Sequence, residues 1–326
     1  FQASFCATAS SLRRATALVG SIPRPTSRLQ QIQEHVSSKF HSSTPFAMPP
    51  VTPPTSEHYD LLVIGGGSGG MGASRRAASY GKKVAVIEEA GKLGGTCVNV
   101  GCVPKKLMWH ASDIQDKLKE AHEYGFTDAG RSFSVPSVDW HTLAEKRDAY
   151  IRRLNGIYDN NLQKDHVAYI SGHGRLLGDG RVQVTPGADG ALKKEVTLSA
   201  DHIVVATGGR PTIPSDEDIP GASLGTDSDG FFAWREQPKR VAVVGAGYIA
   251  VELAGVLHSL NSETHLLIRH DSFLRNFDPI ISDTLMQYMG NTGLHVHKST
   301  NVKRVEGERG GCLLYTSDAA DEEDSV

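Results

Sequence analysis

Residues Tyr59 to Gly70 read YDLLVIGGGSGG, and this stretch decides the fold. A short apolar run of strand character, Tyr59 to Ile64, passes at once into Gly65-x-Gly67-x-x-Gly70. The first glycine suits a tight turn, the second a close pyrophosphate, and the third close packing of the following helix. Met71 to Tyr80 (MGASRRAASY) suits that helix, Gly81 its C-terminal cap, and Lys83 to Ile87 (KVAVI) a second strand. Glu88 then stands 23 residues after Gly65, where a carboxylate can accept from ribose hydroxyls. A glycine triplet alone also fits a glycine-rich turn of an unrelated α/β domain. Strand, loop, helix, strand and acid in this order specify a dinucleotide unit.

The pattern returns further on. Asp201 to Gly209 (DHIVVATGG) reads as a strand ending in a turn that closes the first domain, with Thr207 and Gly208 beside the cofactor. Arg240 to Val244 (RVAVV) is another strand, and Gly245-Ala246-Gly247-Tyr248-Ile249-Ala250 is a phosphate loop of the GxGxxA form. Val251 to Leu260 suits its helix and Thr264 to Ile268 the next strand. Arg269 follows, 24 residues after Gly245, with Arg275 beyond it. An acid at that place takes the free 2′-hydroxyl of NAD, whereas arginines accommodate the extra phosphate of NADP. Glu88 therefore suits FAD, and Arg269 and Arg275 suit NADPH; two solvent-facing arginines are the plainer alternative.

Between the loops lies Gly94 to Lys106 (GGTCVNVGCVPKK). Gly94 and Gly95 let the backbone lie against a ligand, which places Gly95 and Thr96 at the first cofactor. In an ideal helix residues five apart are roughly 8 to 9 Å from one another, too far for a disulfide, whose Cα atoms lie within about 7 Å. Cys97 and Cys102 can bridge only if the segment is distorted, and Gly101 permits that. A helix start and Lys105 would both favour thiolate. A redox disulfide, two buried thiols and a metal site are the readings open to such a pair, although zinc usually wants four ligands. The adjacent nucleotide unit favours the redox disulfide.

The 326 residues are 39% apolar with a formal charge of -3, which suits two soluble domains and gives no argument for nucleic acid or an anionic membrane. No apolar run approaches the roughly 18 residues of a spanning helix. Residues 1–56 carry Arg13, Arg14, Arg24, Arg28 and Lys39 against one acid, Glu34, among many Ser, Thr, Ala and Pro. This is the composition of a mitochondrial transit peptide, with a disordered leader or translated upstream sequence as the plainer alternative and Met48 as an internal start for a cytoplasmic form. Residues 312–326 read as a translated library adaptor or a disordered acidic tail. Cys6 and Cys312 lie in these ends, leaving Cys97 and Cys102 for chemistry. Residues 125–138 and 178–194 read as surface loops with a hairpin.

The order GxGxxG, CVNVGCVPKK, ATGG and GAGYIAVE, from Tyr59 to Arg309, resembles the disulfide-reducing flavoproteins. Lys105-Lys106 after CVP resembles the branch that reduces glutathione disulfide, where the dihydrolipoamide branch tends to CIPSK. The likeness implies an α/β fold of two Rossmann-like three-layer domains, FAD-binding over 57–210 and NADPH-binding over 211–311. It implies that Cys97 is the outer thiol that attacks glutathione disulfide and Cys102 the inner one at the flavin. Lys105 would pair with Glu252 near the flavin, and Tyr248 would be the lid over the nicotinamide. Ser68, Arg75 and Tyr158 match positions lining the glutathione site, and Ser68, within the first glycine loop, would also touch the first cofactor. The family's His-Glu acid couple, second flavin stretch and dimerisation domain match nothing in this sequence, so a fragment of a homodimeric enzyme, inactive alone, is expected. A sister reductase of another disulfide and a non-catalytic flavin-binding chain are the other readings.

Overall fold

The unbroken apolar runs Leu61 to Ile64 and Val84 to Ile87 need cover on both faces, and this requirement sets the architecture. The computed structural model describes residues 56–128, 131–132, 134–187, 191–308 and 313–318. The leader, with Met48, falls outside the described residues except for Ser56. The first part runs β1 (His58–Ile64), α1 (Ser68–Ala78), β2 (Val84–Glu88), α2 (Gly95–Asn99) and α3 (Cys102–Glu120). A small hairpin of β3 (Thr127–Asp128) and β4 (Arg131–Ser132) precedes α4 (Trp140–Lys164), β5 (Ala168–Gly178), β6 (Arg181–Pro186) and β7 (Val196–Val205). The second part has α5 (Ser228–Phe231), β8 (Arg240–Val244), α6 (Tyr248–Ser259) and β9 (Glu263–Leu267). It continues with α7 (Pro279–Thr292), β10 (His295–His297), β11 (Thr300–Glu306) and β12 (Leu313–Asp318).

β1 lies between β2 and β7, parallel to both, and β2 is parallel to β5. The long strands β5 and β7 change partners midway. β5 leaves β2 after Ser171 and pairs antiparallel with β6, which in turn pairs antiparallel with the start of β7. The five strands thereby close into a barrel. Alternation splits the apolar run between two cores. Leu62, Ile64, Ala85 and Ile87 join Ile170, Val182, Val184 and Leu198 in one cluster. Val63, Val84 and Val86 join Met71 of α1, Leu162 of α4 and Leu93 in the other. Each of the Val, Leu, Ile and Met side chains among these contributes about 1.5–3 kcal/mol of burial.

The second sheet is parallel throughout, in the order β10-β9-β8. Val251 and Ala254 of α6 cover Leu266 and Ile268, with Phe273, Leu274 and Met289 of the following segment. The two α/β units meet along α3 and α6, where Met108 packs with Leu253, Val256, Leu257 and Leu260. Fully buried Arg147 of α4 fastens the crossing chain, donating to the Phe232 carbonyl at 2.6 Å and pairing with Asp148 at 2.8 Å.

The strands of both nucleotide units stand where the sequence places them, within a residue or two for all but β7, which starts five residues earlier. α1, however, begins at Ser68 rather than Met71, with Gly69 and Gly70 in its first turn. First-turn N–H groups have no partner within the helix, so glycine costs little there. The hairpin expected within 178–194 is the turn from β5 into β6, but it is not all surface, because Val182 and Val184 of β6 are fully buried. Six residues of the C-terminal stretch form β12, antiparallel to β11, so the disordered alternative does not hold for them.

A Cβ on Gly70 would overlap the Gly65 carbonyl oxygen, whereas one on Gly72 meets nothing within 4 Å. Gly70→Ala is therefore expected to destabilise by about 1–3 kcal/mol through overpacking. Gly72→Ala, in an exposed helix interior, should be neutral or stabilise by up to about 1 kcal/mol. Urea unfolding midpoints of the two variants check this, and equal midpoints would refute the packing role of Gly70.

Candidate active site

Five residues of helix cannot stand alone in water, so α2 depends on what grips it. The Gly94 N–H donates to the Gly66 carbonyl at 2.8 Å, fixing the segment to the first phosphate loop. Gly95 has φ +60, and a Cβ there would come within 2.6 Å of the Gly67 Cα. The backbones of the two segments thus pass with no room for a side chain. Asn99 on α2 donates to the carbonyls of Gly95 (2.9 Å) and Leu93 (3.2 Å). Asn155 of α4 donates to the same Leu93 carbonyl at 2.7 Å and to Asn99 Oδ1 at 3.1 Å.

The helix breaks at Val100 and Gly101 and restarts at Cys102, the distortion that the spacing requires of a bridging pair. A Cβ on Gly101 would meet the Thr96 carbonyl oxygen at 2.8 Å and the Cys97 Cα at 3.2 Å. The break brings Cys97 against the head of α3. Both cysteines are free thiols, with Cys97 half-buried and Cys102 exposed. The Cys97 pKa is raised, first by its hydrogen bond with the Cys102 thiol, then by burial and by repulsion between the two; the Cys102 N–H acts in the opposite sense. The expected favouring of thiolate therefore fails at Cys97. Lys105 is spent on another carboxylate, and the two sulfurs share a proton more readily than two charges. Burial likewise does not mark Cys102 as the inner thiol, because it emerges at the first turn of α3 while Cys97 sits in the bend. Among the described residues no group of three or more His, Cys, Asp or Glu is arranged to hold a metal ion.

Lys105 Nζ pairs with Glu252 Oε1 at 2.8 Å, joining α3 to α6 near the starts of both. Farther along, Lys119 donates to the Ser259 carbonyl at 2.6 Å and Ser259 Oγ donates to Asp116 at 2.6 Å. The helices therefore run in the same sense, and Cys102 and Tyr248 open them at the same end. Tyr248 is 57% exposed.

The loops fit phosphate. α4, α5 and α7 are each capped by an aspartate side chain, Asp139, Asp227 and Asp278. α1 and α6 begin at Gly67 and Gly247 with no side-chain cap, leaving their first N–H groups for an anion. Glu88 closes β2 beside the first loop, accepting from the N–H of Gly66 at 2.7 Å and of Ala90 at 2.8 Å. The turn with Thr207 and Gly208 abuts the same loop, since the Ala206 N–H donates to the Ile64 carbonyl and a Cβ on Gly65 would overlap the Ala206 oxygen. Thr96, also placed at the first cofactor by sequence, is exposed. At the second loop Ala250 packs beneath Gly245. The Leu274 N–H donates to the Ala246 carbonyl at 2.8 Å, which brings Arg275 to that loop. Arg269 follows β9, and both arginines are exposed and form no ion pair among the described residues.

Of the positions matched to a glutathione site, Ser68 is exposed at the head of α1. Tyr158 packs on the core around Leu93 and Met71. Arg75 holds Asp165 at 2.5 Å, so part of its guanidinium already serves the fold. Asn99 and Asn155 are the site residues that sequence reasoning missed. Asn99 lies inside CVNVGC and was open to notice; Asn155, 56 positions away, carries no local signal.

The family model described as pyridine nucleotide-disulphide oxidoreductase matches residues 59–324. The chain belongs to this family. Within the pyridine nucleotide-disulphide oxidoreductases it is 54% identical over 254 residues to the glutathione reductase of Schizosaccharomyces pombe, covering 78% of this chain and 53% of that protein. The glutathione reductases of Yarrowia lipolytica (52% over 263 residues, 79% and 54%) and Debaryomyces hansenii (44% over 269 residues, 77% and 54%) are similar over the same extent. The chain spans about half the length of these curated relatives.

Cys102→Ala removes the largest cause that raises the Cys97 pKa and leaves burial and the Cys102 N–H in place. The midpoint of the pH profile for Cys97 alkylation should move down, read by mass spectrometry after iodoacetamide. An unmoved midpoint would show that the thiols are not coupled.

Proposed function

We propose that the whole protein to which this chain belongs reduces glutathione disulfide, with NADPH as electron donor, FAD as carrier and the Cys97-Cys102 pair as the group that meets substrate. The juxtaposition of that pair with an uncapped glycine loop carries the reading. Gly65, Gly67, Gly70, Glu88, Gly95, Thr96, Thr207 and Gly208 would hold FAD. Gly245, Gly247, Ala250, Arg269 and Arg275 would hold NADPH. When bound, the two cofactors supply hydride transfer and return two electrons to the cysteine pair.

The chain's own chemistry is thiol-disulfide exchange. Cys97, as thiolate, attacks one sulfur of glutathione disulfide; the S–S bond breaks, one glutathione leaves as thiolate, and a mixed disulfide forms. Cys102 thiolate then attacks Cys97 Sγ, the mixed disulfide breaks, the second glutathione leaves, and the Cys97-Cys102 bond forms. Two thiols are oxidised and one substrate disulfide is reduced to two thiols, each taking a proton. Because the Cys97 pKa is raised, the attacking form grows with rising pH, so this half-reaction should speed up through the alkaline range. Lys105 and Glu252 keep α3 and α6 in register at their reactive ends, and Tyr248 stands at the head of α6 as a lid. Homodimer formation and delivery to mitochondria belong to the same proposal.

In the whole protein, Cys97→Ser should abolish turnover of glutathione disulfide yet leave flavin reduction by NADPH within about two-fold of the parent. A Cys97→Ser protein that still turns over glutathione disulfide would falsify the assignment. Replacing Arg269 and Arg275 together with Ala should raise the KM for NADPH roughly ten-fold or more, as expected for losing hydrogen bonds to a charged group. The KM for NADH should hardly move; equal effects on the two nucleotides would remove the arginines from phosphate recognition.

A further inference from the structure

We infer that Asn155 is a positioning residue for the cysteine pair, acting from α4 through Asn99 and the Leu93 carbonyl. This rests on the dithiol reading above and adds a residue to it. α2 is five residues long, starts at Gly94 without a side-chain cap, and ends in non-helical Val100. One of its few internal bonds, Val98 N–H to Gly94 O, is long at 3.4 Å. Such a turn has almost no intrinsic stability. Its geometry is set by groups outside it, and two primary amides supply them.

The Leu93 carbonyl accepts from both Asn155 and Asn99, and Asn155 also donates to Asn99 Oδ1. Asn99 in turn donates to Gly95 O. The network thus spans residue 93 to residue 99, the segment that carries Cys97. Leu93 is buried, and the network is partly so, which raises the cost of leaving its carbonyl unpaired. Tyr158, one helical turn beyond Asn155, packs in the same cluster as Leu93, so this face of α4 runs along the segment. A neutral amide suits the place because it donates without adding charge beside a group that must become thiolate.

The test uses the whole FAD-loaded protein with Asn155→Leu, close in shape but without donors, and Asn155→Asp, which has a carboxylate where the amide donated. Three quantities are read: the pH profile of Cys97 alkylation relative to Cys102 in the reduced protein, turnover of glutathione disulfide, and the rate of flavin reduction by NADPH. Both variants should displace the Cys97 profile and lower turnover by about ten-fold or more, since small misplacements of a reacting group have effects of that order. Flavin reduction should stay within about two-fold of the parent. Unchanged Cys97 profiles overturn the inference, as does a uniform loss in which flavin reduction falls with turnover. A parent protein inactive on glutathione disulfide would refute the proposed function instead, while the alkylation profile still judges the role of Asn155.

Discussion

Two backbones pass one another at Gly67 and Gly95 with no side chain between them, and the site depends on that approach. The Gly94 N–H on the Gly66 carbonyl ties the cysteine segment to the phosphate loop at a height set by peptide geometry, where side-chain rotamers have no part. A rotamer can change at little cost, whereas a backbone contact of this kind moves only if the loop itself refolds. The height of residues 94 and 95 above the loop is therefore a property of the main chain, while the amides of Asn99 and Asn155 hold the turn beyond them that carries Cys97.

A second layer aligns the units. α3 carries Cys102 at its head and α6 carries Tyr248, and the helices are joined by Lys105 with Glu252 at one end and by Asp116 and Lys119 with Ser259 at the other. Met108 and the leucines of α6 fill the seam between these polar ends. Arg147, without solvent contact, holds the crossing chain at Phe232 and adds a cost to any separation, because its charge would lose partners in a dry place. The cysteine segment and the second glycine loop thus share one packed junction.

The paired thiols show how local geometry can reverse a local expectation. A helix start and a nearby lysine both favour thiolate when taken singly. Here Lys105 already faces a carboxylate, and the break at Gly101 sets one sulfur against the other, so a shared proton prevails at Cys97. The exposed Cys102 and half-buried Cys97 follow from the same break.

The glycine loops, Glu88, the cysteine spacing and the need for a bend were legible in the amino-acid sequence, because each is a requirement of the backbone over a few neighbouring residues. β6 was legible as part of a hairpin but not as core, since two apolar positions in six do not reveal burial until β5 and β7 supply both edges. Arg75 was legible as a basic helix residue, but Asp165, its partner, was not. The sequence by itself determined the family, through the two glycine loops and the cysteine segment between them. Only the tertiary structure decided that Asn155 reaches Asn99, that Lys105 is neutralised by Glu252, and that the Cys97 pKa rises. The first two depend on distances between groups 56 or 147 positions apart, which chain order leaves open and packing fixes, and the third on the break at Gly101 that sets Cys102 against Cys97.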